Sequence, residues 1–173
     1  MVLLSMVFAI GWFTSTAIAV HLPALMLALG LGLSSAVALG ALIGPAQVGA
    51  RVVEFIGLRR VHPLVSARAA ATTHPLAVLA LLALGPVAAP VFVILHGAGN
   101  GILSIIKGTL PLALFGPADF DRRQGWLTLP ARIAQAIAPL AFGLAVEAWG
   151  LYSLLVTAAL GLAAFCSPLV LRP

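Results

Sequence analysis

The sequence predicts an all-α membrane protein, a single domain over residues 1–173 made of six transmembrane helices. Three observations predict it. The first is composition: 62% of the 173 residues are hydrophobic and 8% are charged, with a mean hydropathy of +1.19. A soluble domain carries about a quarter charged residues, and a chain this short cannot hide so much apolar surface in a water-bounded core. The second is pattern. The apolar residues form long runs without the alternation of a barrel strand. In lipid the backbone must satisfy its own hydrogen bonds, which such runs do as helices; at about 20 residues per crossing, six fit with short loops. The third is charge. Once the runs are threaded back and forth, all nine Lys and Arg residues fall on one side.

The spans are placed at 2–20, 33–56, 63–84, 86–107, 126–148 and 150–171. The first opens on Met1-Val2-Leu3-Leu4, with no positive n-region and no cleavage site, so it reads as a helix and not a signal peptide. It ends at His21-Leu22-Pro23, because the residue before a proline is pushed out of helical geometry. A connection over 24–33 leads to the second span, which holds a kink at Gly44-Pro45. Arg59, Arg60, His62 and Pro63 make a tight basic turn into the third. Gly85-Pro86 and Trp149-Gly150 make the other short turns. The one long connection runs from Lys107 to Gly125, its first half apolar enough to lie at the membrane surface. The sixth span is almost wholly apolar and reads as a lipid-facing helix; Cys166 within it reads as a small buried hydrophobe.

Arg51, Arg59, Arg60 and Arg68 surround the second-to-third turn. Lys107, Arg122, Arg123 and Arg132 surround the fourth-to-fifth connection, and Arg172 is near the C-terminus. The opposite connections hold no Lys or Arg. Positive charge is retained in the cytoplasm, so both termini are expected there, in a cell (inner) membrane. Trp126 falls near the inner interface and Trp149 and Tyr152 near the outer one, as in aromatic belts.

Polar residues inside a span need a cavity, a partner or a route to the interface, so their spacing is informative. Gln47, Arg51 and Glu54 share one face of the second span; Arg51 and Glu54 are spaced to pair, either as a snorkelling Arg with its counter-ion or as a cytoplasmic gate. His96, Asn100, Ser104 and Lys107 line one face of the fourth. Gly97 and Gly101 give that helix the small-xxx-small spacing of close helix approach. His96 either titrates or contacts a solute, or simply hydrogen-bonds a neighbouring helix. Thr128, Arg132 and Gln135 share a face of the fifth; Arg132 either snorkels, attracts an anion or pairs with Glu54. Trp12, with Ser15 and Thr16, is core packing or a stacking surface. Thr72, Thr73 and His74 precede Pro75 in the third and either bond back to carbonyls around the kink or take a direct role. Spans one, two, four and five therefore carry the extended polar faces.

Several classes are excluded. No basic patch is interleaved with aromatics, so the +5 net charge does not indicate nucleic acid. One cysteine makes neither an internal disulfide nor a Cys-based metal site. The four histidines are scattered in depth, no Gly-x-Ser-x-Gly occurs and no phosphate-binding loop is present. No catalytic residue, metal or cofactor is assigned, and the chain does not read as an enzyme.

Three stretches carry a resemblance: Ala41 to Phe55 (ALIGPAQVGARVVEF); His96 to Leu103 (HGAGNGIL) continuing through Lys107 to Pro117 (KGTLPLALFGP); and Pro130 to Leu140 (PARIAQAIAPL). Over essentially its whole length the chain resembles the C-terminal six-helix half of a major facilitator superfamily transporter, from a bacterial branch. Pro45-Ala-Gln47 and Pro130-Ala-Arg132 would superimpose in the 3+3 inverted repeat of such a half. The family's cytoplasmic signature is degenerate here: Glu54 stands where an Asp is usual, Gly57 matches, Phe55 replaces a basic residue, and Arg59 and Arg60 follow one position late. The resemblance implies a secondary transporter moving a small-molecule solute by alternating access, coupled to a cation or proton. The substrate-path candidates are Trp12, Gln47, His96, Asn100, Arg132 and Gln135, and the gate candidates Arg51, Glu54, Arg59 and Arg60. It also implies a second six-helix half as partner, from the same chain upstream, a separate subunit or a second copy. The alternative is a truncated or structural membrane subunit without transport activity of its own.

Overall fold

The computed structural model describes residues 1–58 and 62–170, without the side chains of residue 58 and of 167–170. Every regular element among them is helical: α1 (Val2–Ala28), α2 (Leu33–Val53), α3 (Pro63–Leu84), α4 (Ala89–Phe115), α5 (Phe120–Trp149) and α6 (Leu154–Val170). A π-turn, Glu54–Leu58, extends α2, and 3-10 turns at Gly85–Ala88 and Gly150–Ser153 lead into α4 and α6.

The expected six crossings, and the half-superfamily architecture that requires them, are corrected by this arrangement. Among the described residues four helical stretches are long and apolar enough to cross a membrane: Val2–Ala28, Leu33–Gly57, Pro63–Phe115 and Phe120–Cys166. The difference arises near residues 85 and 150. Gly85 and Gly150 take φ of 63° and 54°, values an L side chain resists, and turn the chain there. The 3-10 turns nevertheless continue the helical run, so each expected pair of spans is one stretch. The longer stretch has 53 residues and would measure about 80 Å if straight; it folds back so that α3 lies along α4. The chain is a multi-pass membrane protein.

Other boundaries shift for local reasons. α1 continues through Pro23 to Ala28 because Leu22, Leu25 and Met26 are buried among its neighbours; packing holds the helix where proline removes one backbone bond. The turn comes at Gly30, φ 82°. The expected long connection from Lys107 to Gly125 is mostly helix: α4 runs through Pro111 to Phe115, and α5 begins at Phe120. A short turn holds them, with Gly116 and Asp119 at positive φ, and Arg123 donates to the Phe115 carbonyl at 2.6 Å, covering an open C-terminal acceptor. His62 caps α3, its Nδ1 accepting from the Leu64 N–H at 3.2 Å, with Pro63 at the first helical position.

Packing follows small residues, as it must where lipid removes the usual hydrophobic drive between helices. α1 packs along α5, α2 along α4, and α3 between α4 and α6. Gly97 and Gly101 of α4 face the backbone of α2 at Ile43 and Gln47, while Gly99 faces Ala70 and Thr73 of α3. Gly161 brings α6 against Pro75. α6 is thus a packed helix, with Thr157 fully buried. Cys166, expected to be buried, is exposed.

The core has two apolar clusters. One gathers Ile18, Leu25, Met26, Leu81, Phe92, Phe142 and Leu154; the other gathers Leu4, Phe8, Leu64, Ile106, Leu110 and Leu127. Buried polar side chains, Thr14, His74, His96 and Thr157, belong to neither cluster. Large hydrophobics are exposed along the outer faces, and Trp126, Trp149 and Tyr152 are exposed as well. α2 contributes one buried residue, Ala36, and is otherwise largely uncovered.

Candidate functional site

Two adjoining cavities are lined by polar residues, among them the buried Thr14, His74 and His96. The first is lined by Thr14, Thr73, His74, His96 and Asn100 among mostly apolar neighbours. The second is a cleft lined by Trp12, Ser15, Gln47, Arg51, Asn100 and Ser104 together with Gly11 and Leu103. Gly11, Asn100 and Leu103 line both.

A chain of hydrogen bonds runs along the first cavity. Asn100 Nδ2 lies 3.1 Å from His96 Nε2, His96 Nδ1 lies 3.0 Å from His74 Nδ1, and His74 Nε2 lies 2.9 Å from Thr157 Oγ1. Thr157 Oγ1 donates to the Leu154 carbonyl at 2.8 Å. An amide nitrogen can only donate. With Asn100 as donor, His96 Nε2 accepts, His96 Nδ1–H donates to His74 Nδ1, and His74 Nε2–H donates to Thr157. Every member is then satisfied with both imidazoles neutral, an assignment made from the bonding pattern. Phe92 stacks on His96 at 10° between planes, with centroids 6.1 Å apart. His96 therefore turns away from the polar face of the cleft and toward α3, and Asn100 connects the two. Two ring nitrogens meet here, and no group of three or more His, Cys, Asp or Glu gathers among the described residues.

The cleft is organised around Trp12. Lys107 Nζ lies 5.2 Å from its ring centroid, and Arg132 Cζ lies 5.3 Å from it, both within cation–π range. Arg132 also donates to Gln135 Oε1 at 3.0 Å. It sits twelve residues inside α5, more than three helical turns. Arg51 donates through Nε to Ser104 Oγ at 3.0 Å, and Ser104 bonds back to the Gly101 carbonyl at 2.6 Å. Arg51, Ser104 and Arg132 are exposed, while Trp12, Gln47, Lys107 and Gln135 are half-buried.

Of the substrate-path candidates, Trp12, Gln47 and Asn100 come together in the cleft, Arg132 lies over the Trp12 ring and bonds Gln135, and His96 lines the adjoining cavity. Of the gate candidates, Arg51 bonds to Ser104 and not to Glu54. Glu54 is buried at 8% exposure, its Oε2 without a hydrogen-bond partner. Arg59 and Arg60 lie outside the described residues. Thr72 and Thr73 bond back to the carbonyls of Ala69 and Ala70, each at 2.8 Å.

Sequence reasoning missed the pairing of His74 with His96 and passed over Thr157. One signal for His74 was present: it and His96 stand eleven residues either side of Gly85. Equal distances from a tight turn place two residues at equal depth on antiparallel helices. Thr157 carried no such signal, because its partner lies on a helix distant in sequence. No family model, curated protein or solved structure matches this chain, so only its own residues bear on what the cleft does.

Proposed function

We propose that the chain forms the wall of a solute pathway through a membrane and moves a small solute by alternating access, as its resemblance to the major facilitator superfamily implies. The observation that carries this is the convergence of polar side chains from α1, α2 and α4 on one open cleft, with Arg132 of α5 over the ring of Trp12, which lines it, while large hydrophobics are exposed over much of the remaining surface. Charged and amide side chains in lipid need water or a partner, and a water-filled pathway supplies it. The bare surface of α2 supports a second membrane-embedded partner closing the pathway from the other side. The location proposed is the inner membrane, with both termini in the cytoplasm.

The direct test is thiol accessibility. In a Cys166→Ser background, Gln47→Cys and Gln135→Cys are expected to react with membrane-impermeant thiol reagents, and to do so from either side of oriented vesicles. Protection of both positions from both sides would remove the pathway reading. Coupling to protons is proposed through the His96–His74 pair or Glu54. Uptake into proteoliposomes should then lose its pH dependence in His96→Ala or Glu54→Gln; retention in both variants excludes that coupling.

A further inference from the structure

Resting on the pathway reading, we infer that the solute is a small organic anion, bound through its carboxylate or phosphate group between Arg51, Lys107 and Arg132, with Trp12 supporting its body. The cations come from three helices, α2, α4 and α5: Lys107 and Arg132 lie over the Trp12 ring of a fourth, and Arg51 lines the same cleft as Trp12. Their recorded partners are a serine hydroxyl, an indole face and a glutamine amide. None of these cancels a charge. An Arg or Lys held within a membrane span ordinarily faces a carboxylate or a cavity; here the cleft is present, and none of the four acidic side chains, Glu54, Asp119, Asp121 and Glu147, lines it. The arrangement is a positive field with an aromatic floor and neutral hydrogen-bonding groups at its sides (Gln47, Asn100). A guanidinium gives a carboxylate or phosphate two parallel hydrogen bonds.

The same chemistry could be supplied by a soluble anion or by the phosphate of a lipid headgroup, so the test separates them. The full chain is placed in phosphatidylcholine nanodiscs with Trp126→Phe and Trp149→Phe, leaving Trp12 as its one tryptophan. Benzoate and phenyl phosphate are titrated against neutral benzamide and cationic benzylamine while Trp12 emission is read. At least one anion is expected to act saturably, at concentrations tenfold or more below those needed for benzamide and benzylamine. Arg132→Gln and Lys107→Gln should each weaken that response at least tenfold, and Arg132→Lys should largely restore it. A response that ignores charge, or no response to either anion, overturns the inference. So does a lipid occupant: native mass spectrometry would then show phosphatidylglycerol retained by the parent chain, lost in Arg132→Gln, and not displaced by benzoate. These outcomes stand apart from the pathway test, since thiol access at Gln47 and Gln135 does not depend on which solute binds.

Discussion

At the scale of the residue, the buried histidines show how much a single hydrogen-bonded chain demands. Removing His96 leaves His74 Nδ1 and the Asn100 amide without their partners and opens a void beside Phe92. Leaving buried polar groups unsatisfied and creating a cavity both destabilise, so His96→Ala is expected to cost about 2–4 kcal/mol in reversible unfolding in micelles. Thr157→Val removes one interhelical bond at nearly constant volume. Such bonds average about 0.6 kcal/mol within membranes, and the same measurement should show a loss of about 1 kcal/mol or less. A larger loss for Thr157→Val than for His96→Ala would contradict the order of bonding described above. Arg51 and Glu54 teach a related lesson. Their spacing along one helix permits a pair, yet Ser104 on α4 is a nearer partner for Arg51. Local spacing states what can meet, and the neighbouring helix decides what does.

At the scale of the element, the glycines of α4 set how closely the helices approach. A Cβ on Gly101 would press into the backbone at Gln47, which cannot step aside as a flexible side chain can. Gly101→Ala is therefore expected to destabilise by about 1–3 kcal/mol. Gly49→Ala, on the uncovered side of α2 where nothing lies within 4 Å, should be neutral or gain up to about 1 kcal/mol from helix propensity. Thermal unfolding of the two variants side by side checks this contrast. Helical content and the polar faces of α1, α2, α4 and α5 were legible in the sequence, because apolar runs and periodic polar positions are local facts. The helix ends were not. Pro23 reads as a stop and the fourth span is placed to end at Lys107, but packing around Leu25 and Leu110 carries both helices further. The number of crossings was misjudged for a similar reason: Gly85 and Gly150 turn the chain without ending its helical run.

At the scale of the whole molecule, the uneven covering of the helices is the main fact. α3 is held on two sides, whereas α2 has one buried residue. If a partner covers α2, a cysteine at Val48, which is 57% exposed, should cross-link to it in native membranes when Cys166 is replaced by Ser, while a cysteine at Leu79 on α3 should not. Equal cross-linking at both positions would indicate random collision in the bilayer.

The His74–His96 chain has one more consequence. Its sense of donation can run either way, and a half-turn of the Asn100 amide is the switch. With the amide oxygen toward His96, each ring takes its other tautomer, losing its proton at one nitrogen and gaining one at the other by exchange with solvent: His96 Nε2–H donates to Asn100, His74 Nδ1–H donates to His96, and Thr157 must release the Leu154 carbonyl to donate to His74. Because Asn100 also borders the cleft, a guest that claims its amino group from that side reverses the whole row. What occupies the cleft would thereby be reported, without any net gain of charge, on a helix it never touches.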